Sequence, residues 1–366
     1  MAYTLIDDPS AHFQVETYTG AGANTSVTFS GNSDLKPDFL WLKNRTAGYA
    51  HAAFDSNRNL GSAVNAPFLE PNDISTENSN QNWWNATNYG INTDGFQFGS
   101  VSEHNLNNLN SEYVAWAWKA NGGTTSSNTD GDLTSTVQFN STAGFSIVTY
   151  TGKDPIEPLQ VGHGMGEAPD VIFIKNRSSA RLWAVYHKEL TSPAANRYLQ
   201  LNTSTYGELA NSTLWGNVAP SSTIITTGEN AAVNQPNENL VAYCWKERKG
   251  FSRFGKYVGN GETNGTFVYT GFKPEFVIVR RIDSANSWII TDNARGQNGA
   301  NPRLYANSTE AEGSAADYID HLSNGFKIRT SAGSMNASGG TYVYMAFAEN
   351  PFVTSDDGGS IPTTAR

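Results

Sequence analysis

The sequence predicts an all-β protein of three tandem β-sandwich units of the jelly-roll type, and three observations carry that expectation. One segment occurs three times without a gap, as KPDFLWLKNRTAGYAHAAFD at 36–55, APDVIFIKNRSSARLWAVYH at 168–187 and KPEFVIVRRIDSANSWIITD at 273–292. Apolar runs are short, β-branched or aromatic, and separated by Gly, Asn, Ser and Pro, while no window sustains a helical period. Charged residues make up only 16% of the 366, below the usual quarter, and uncharged polar side chains with many aromatics suit half-buried strands. A repeated supersecondary unit at this length selects three units over two.

Each unit opens on a strand: FQVETYTG at 13–20, FSIVTYTG at 145–152 and FSRFGKYVG at 251–259. Pro37, Pro169 and Pro274 mark the entrance of the next strand, because proline has no N–H to give a ladder. The runs FLWLK, VIFIK and FVIVR that follow are expected to be central strands buried on both faces. A polar turn then leads to HAAF, WAVY or WIIT, which completes a hairpin. Asp94-Gly95-Phe96 and Asn324-Gly325-Phe326 read as turns that launch a later strand, and the second unit lacks this turn. The units end in YVAWAW at 113–118, LVAYCW at 240–245 and YVYMAF at 342–347. The expected division is an N-terminal arm 1–10, units 11–120, 133–248 and 249–350, a flexible linker 121–132 (NGGTTSSNTDGD) and a C-terminal arm 351–366. The short joint at 246–250 predicts that the second and third units pack as a rigid pair, with the first tethered by the linker.

A net charge of -10 without basic clusters argues against a nucleic-acid partner. No stretch approaches the roughly 18 apolar residues of a membrane span, and MAYTLIDDPS lacks a signal peptide's basic and apolar regions, so folding in a cytoplasm is expected. Cys244 is the single cysteine, expected as a small buried apolar residue. The six histidines show no metal-ligand spacing, and Asn128–Asp132 lacks the later glutamate of a calcium loop, so neither metal nor cofactor is expected. His163 in GHGMG fits neither a nucleophile elbow nor a phosphate loop.

Three copies of an active site would repeat its residues. The position at 55, 187 and 292 reads Asp, His, Asp, with Arg58 and Arg295 three residues on in two copies only; this is expected to be a turn-stabilising pair, and the chain is expected not to be an enzyme. The lysines, asparagines and arginines closing the repeated strand are expected to support the hairpin. The most distinctive unshared stretch is NWWNATNY at 82–89, answered by STLWGN at 212–217. Adjacent tryptophans on a strand face opposite sides, so one sheet buries at most one of them. Exposed rings amid amides are the composition of a sugar-stacking or protein-docking surface. Trp83, Trp84, Asn85, Tyr89 and Trp215 are therefore the candidate glycan- or partner-binding residues, beside an equally open reading in which the rings plug a sandwich end or a unit contact.

The start MAYTLIDDPSAHFQ, the repeated KPDFLWLKNR and APDVIFIKNR, the YTG turns, YVAWAWKA and YVYMAFAENPF together resemble repetitive virion proteins of marine tailed bacteriophages, of the tail-fibre or receptor-binding kind. That resemblance covers nearly the whole chain and implies lectin-like β units, assembly into a virion and no catalytic motif. The expected function is a non-enzymatic fibre or adhesin-like appendage, a homo-oligomer and by analogy with fibres a trimer, that touches host-surface polysaccharide and other virion proteins. Two further readings stay open: a capsid or tail decoration or adaptor protein, and a glycan depolymerase, which needs two carboxylates about 5–10 Å apart in a groove.

Overall fold

The computed structural model describes residues 4–60, 66–78, 90–98, 106–154, 157–296, 302–313, 319–356 and 359–362, with side chains described as far as residue 352. The fold is all-β, and its strands pair antiparallel.

The first unit comprises β1 (Phe13–Thr19), β2 (Thr25–Val27), β3 (Phe39–Asn44), β4 (Ala52–Asp55), β5 (Gly90–Ile91), β6 (Phe96–Phe98) and β7 (Glu112–Trp118). Two strands follow between units, β8 (Ser126–Asn128) and β9 (Ser135–Asn140). The second unit comprises β10 (Phe145–Thr151), β11 (Leu159–Gly162), β12 (Val171–Asn176), β13 (Ala184–His187), β14 (Arg197–Gln200), β15 (Leu209–Ala210), β16 (Ile224–Thr227) and β17 (Asn239–Trp245). The third comprises β18 (Ser252–Val258), β19 (Phe267–Tyr269), β20 (Phe272–Arg281), β21 (Ile289–Asp292), β22 (Leu304–Tyr305), β23 (Ile319–Leu322), β24 (Gly325–Ile328) and β25 (Thr341–Pro351), before a terminal hairpin of β26 (Val353–Asp356) and β27 (Gly359–Pro362).

The main sheets share one order: β1-β7-β3-β4, β10-β17-β12-β13 and β18-β25-β20-β21. In each, the unit's last strand lies between its first strand and the repeated hairpin, so the two most apolar segments sit side by side. A small sheet covers the outer face of each: β2-β6-β5, β11-β16 and β19-β24-β23. Gly95 makes the first of these covers possible, because its φ is +95° and a Cβ there would lie 2.0 Å from the Val27 carbonyl.

The repeated strand is buried on both faces, as its unbroken apolar run predicts. Leu40 and Leu42 enter the first unit's own core, whereas Phe39 and Trp41 point the other way. That other way is a central core shared by all three units, which packs Trp116 and Trp118 with Phe145 and Trp245 and with Phe276 and Phe347. This corrects the expectation of a tethered first unit beside a rigid pair. A strand apolar on both faces needs two covering layers; each unit's small sheet supplies one, and the other two units supply the second.

The N-terminal arm and the linker are correspondingly tied down. Ile6 joins the central core, and the Thr4 hydroxyl donates to the Lys249 carbonyl at 2.8 Å. The expected flexible linker instead contains β8, while β9 after it pairs along β10 from Phe145↔Asn140 to Tyr150↔Ser135. Ala120 N and Gly122 N donate to Asp38 Oδ2 at 2.7 and 2.8 Å. In the C-terminal arm Val353–Asp356 and Gly359–Pro362 pair as a hairpin, which corrects the expected extended tail for those residues.

Candidate functional site

The seams between units are built by the repeated segment itself. Lys43 Nζ donates to the Thr309 carbonyl of the third unit at 3.2 Å, Lys175 Nζ to Ile74 of the first at 2.9 Å, and Arg280 to Tyr206 of the second. Eight residues on in each copy, the ring N–H of His51 meets the Tyr305 carbonyl at 3.0 Å, that of Trp183 meets the Glu70 carbonyl at 3.0 Å and that of Trp288 meets the Gln200 carbonyl at 2.8 Å. Arg45–Glu312 and Arg177–Glu77 ion pairs, at 2.8 and 2.7 Å, follow the same cycle. The hairpin-support reading holds for the asparagines, Asn44 Oδ1 accepting Thr46 N and Ala47 N at 2.9 and 2.8 Å, and in part for the lysines, Lys43 Nζ donating to its neighbour's carbonyl at 2.7 Å and Lys175 Nζ to the Arg181 carbonyl in its own turn at 2.8 Å. The cations reach into the neighbouring unit, and burial lowers Lys43 and Lys175 to about 8.

The Asp, His, Asp position makes a second set of links. Asp55 accepts the Tyr243 hydroxyl of the second unit at 2.6 Å, His187 donates to the Tyr344 carbonyl of the third at 3.1 Å, and Asp292 accepts the Trp116 indole of the first at 2.9 Å. Asp55 and Asp292 each also hold the arginine three residues on, at 2.5 and 2.7 Å, as a turn-stabilising pair should. His163 is structural too: its Nδ1 accepts Met165 N at 3.2 Å and its Nε2 faces the Ser221 carbonyl at 3.2 Å.

Among the described residues two seams keep clefts. Between the third and first units lies a polar cleft of about 670 Å³, bordered by Gln14, Val15, Lys273, Glu275, Asn293 and Glu349. Glu275 Oε1 accepts Val15 N at 3.0 Å; Glu349 pairs with Lys273 at 2.5 Å and accepts the Asn293 amide. Burial, with Glu349, Asp292 and Glu16 nearby, pushes the Glu275 carboxyl well above the usual range, against the opposing Val15 N–H.

Between the second and third units lies a cleft of about 320 Å³ with a different character. Val268 of β19 points inward, which leaves Phe267 and Tyr269 together on the outer side, 43% and 56% exposed. Both rings border the cleft, opposite Lys188 and Glu189 and beside Arg253 and Lys256 of β18. The rim is ordered by Lys188–Glu247 at 2.9 Å, Arg253–Glu247 at 2.5 Å and Lys256–Glu189 at 3.3 Å. Two exposed rings within a charged, hydrogen-bonding rim can stack on an apolar ring face while satisfying the polar groups at its edge.

Of the residues singled out in the sequence, Trp83, Trp84, Asn85 and Tyr89 lie outside the described residues. Trp215 is 2% exposed, packs edge-on against Tyr186 and donates its indole N–H to the Arg197 carbonyl at 2.9 Å. Its faces and its polar edge are used internally, so it is corrected from a binding residue to a core residue. Phe267 and Tyr269 were missed; the available signal was a short strand, FVY, with aromatics at both positions of one face.

No curated protein and no solved structure matches the chain. One family profile matches residues 8–351, which takes in all three units. The chain therefore belongs to the DUF7483 family, described as a domain of unknown function.

Proposed function

We propose that this chain is a non-catalytic surface protein of a tailed-bacteriophage virion, which holds a host-surface glycan in the cleft between its second and third units. The observation that carries the glycan reading is the pair of outward rings, Phe267 and Tyr269, at the border of that cleft. A pyranose offers an apolar C–H face that stacks on such rings and hydroxyls that bond the surrounding charged groups, here Lys188, Glu189, Arg253 and Lys256. The virion reading is supported by the resemblance of the repeated segments, and homo-oligomeric presentation, a trimer by analogy with fibres, would raise avidity for a weak single site. A decoration or adaptor role is the second reading, favoured by the separate C-terminal hairpin of β26 and β27.

The test is binding of the purified protein to an array of bacterial surface polysaccharides, with Phe267→Ala and Tyr269→Ala as controls. Both side chains are substantially exposed, so the variants should fold as the parent does. Retained glycans that both variants lose support the reading. Absence of binding, or binding unchanged in both variants, rejects this cleft as the site.

A further inference from the structure

The three units are not equally covered at their first strands. β10 has β9 and then β8 beside it, whereas β1 and β18 end their sheets among the described residues. The cover on β10 comes from the chain that has just left the preceding unit. Phe145, Ile147 and Thr149 of β10 pair with Asn140, Gln138 and Thr136 of β9. Their counterparts on β1 are Phe13, Val15 and Thr17, by the match of FQVETYT with FSIVTYT. Among the described residues no strand forms a ladder with these: Val15 N donates to the side chain of Glu275 on β20 at 3.0 Å and Thr17 N to that of Glu16 at 3.1 Å, beside the cleft of about 670 Å³. Carboxylates on edge N–H groups blunt a strand without covering it.

The chain leaving the third unit carries a segment of the same kind. SSNTDGDLTSTV at 126–137 aligns without a gap to TSDDGGSIPTTA at 354–365, with Ser127/Ser355, Gly131/Gly359 and Thr136/Thr364 identical and Leu133 matched by Ile361. The two segments start eight and seven residues beyond the aromatic runs that end at Trp118 and Phe347. Gly131 is needed in the linker because a Cβ there would lie 2.3 Å from the Gln160 carbonyl, and the tail keeps glycine at the matching position. Yet the tail does not turn toward β1. β25 continues alongside β20 as far as Pro351, Phe352 N donates to the Gly271 carbonyl at 3.2 Å, and β26 and β27 form a sheet of their own. A lone two-stranded hairpin is marginally stable in water.

We propose that the C-terminal hairpin of one copy adds to the open edge of β1 in a second copy, as β8 and β9 add to β10 within the chain. The surface is a sheet edge, its partner is a second copy of this chain, and the contact is strand addition through main-chain hydrogen bonds. Because tail and edge are different surfaces, the association is head-to-tail.

Two full-length variants test this. Thr17→Pro removes an outward N–H of β1 while leaving its pairing with β7, and proline is tolerated on an edge. Ser355→Pro combined with Ser360→Pro breaks both tail strands. Circular dichroism and thermal unfolding first confirm the parent fold. In sedimentation velocity the parent should associate with rising concentration. Each variant alone should lose that association, and an equimolar mixture should form a dimer, since one variant keeps the tail and the other the edge. A parent that stays monomeric at all concentrations, which includes closure of the tail on its own β1, overturns the proposal. So does a mixture of folded variants that fails to associate. If Thr17→Pro does not fold, a synthetic peptide of residues 353–366 is added to the tail variant: binding supports the proposal and no binding rejects it.

Discussion

The seam between the first and second units and the seam between the third and first are built from matching positions yet end differently. At the first, Asp38 holds Ala120 N and Gly122 N, and Gln138 of β9 fills the mouth. The Gln138 amide donates to Ser56 and Asn57 at 2.8 and 2.9 Å and accepts Asn121 N and Gly123 N at 3.0 Å each. At the other seam the acid after the repeated proline is Glu275, one methylene longer, and it reaches across to Val15 N. Asp38 has the chain leaving its unit to hold, whereas Glu275 holds the neighbouring edge strand. The acid's task is thus to receive a backbone N–H at the seam mouth, whichever backbone arrives. Where a strand arrives the seam is sealed, and where none does a polar cleft remains.

The buried arginine pairs beneath the mouths should matter more than the mouths. Arg58 is bonded to Asp55, to Glu77 at 2.7 Å and to the Tyr243 hydroxyl at 3.2 Å, and Arg295 to Asp292 and to Glu312 at 2.9 Å. Arg58→Ala and Arg295→Ala should each cost about 3–5 kcal/mol in chemical denaturation, because each strands a buried carboxylate. Arg58→Ala should be the larger loss, since Tyr243 also loses a partner. Losses below 1 kcal/mol at both sites would place the seam energy in the central aromatic core instead.

The third seam replaces the Asp–Arg pair with His187, which makes it sensitive to pH. Its Nδ1 accepts Glu189 N at 3.1 Å and its Nε2 donates to Tyr344, so only the neutral ring satisfies both partners. Burial lowers its pKa from 6.5 to about 4. The contribution is complete above pH 6.5 and is lost as pH falls toward about 4, a loss of about 3 kcal/mol. Unfolding curves at pH 7, 5 and 4 should show it, and His187→Gln should flatten that part of the profile; an unchanged profile would remove His187 as its source. A smaller effect, about 1–3 kcal/mol, is expected for Gln138→Ala at the sealed mouth, where Gly123 N and Asn121 N lose their acceptor. No loss in denaturation would mean that β9 seals the seam without its glutamine.

The strands of a unit and its repeated hairpin were largely legible in the sequence, because Pro37, the two-faced run FLWLK and the aromatic run YVAWAW each have a recognisable use in a sheet, whereas the placing of the last strand between the first strand and the hairpin was not read from it. The arrangement of units was not, although its cause was already visible. A run apolar on both faces demands a second cover, and the count of small sheets leaves one face of every main sheet open. Lys43 and Arg45 were legible only in part for a related reason: a cation after a buried strand reads as support for its own hairpin, and the carbonyl or carboxylate that another unit supplies is not visible in the sequence. At the candidate site, tryptophan content drew attention to Trp215, yet burial rather than residue type decides whether a ring can bind. Phe267 and Tyr269 lie on a three-residue strand, too short for its alternation to stand out.

The smallest effect expected bears most directly on the difference between the seams. Glu275 lies half-buried in the open cleft with its carboxyl pushed well above the usual range by burial and by Glu349, Asp292 and Glu16. A carboxyl whose folded pKa is raised favours the fold fully below its ordinary value near 4.5 and loses that contribution as pH rises through the folded value. Glu275→Gln keeps an oxygen for Val15 N while removing the charge, so it should unfold later than the parent near pH 7 and match it near pH 4. Solvent in the cleft screens the charge, which is why this gain ranks below the arginine and histidine losses. Thermal unfolding at the two pH values decides the matter. A variant less stable than the parent at pH 7 would mean that the ionised carboxylate is the better acceptor, and that the open seam, like the sealed one, is held by a charge on a backbone N–H.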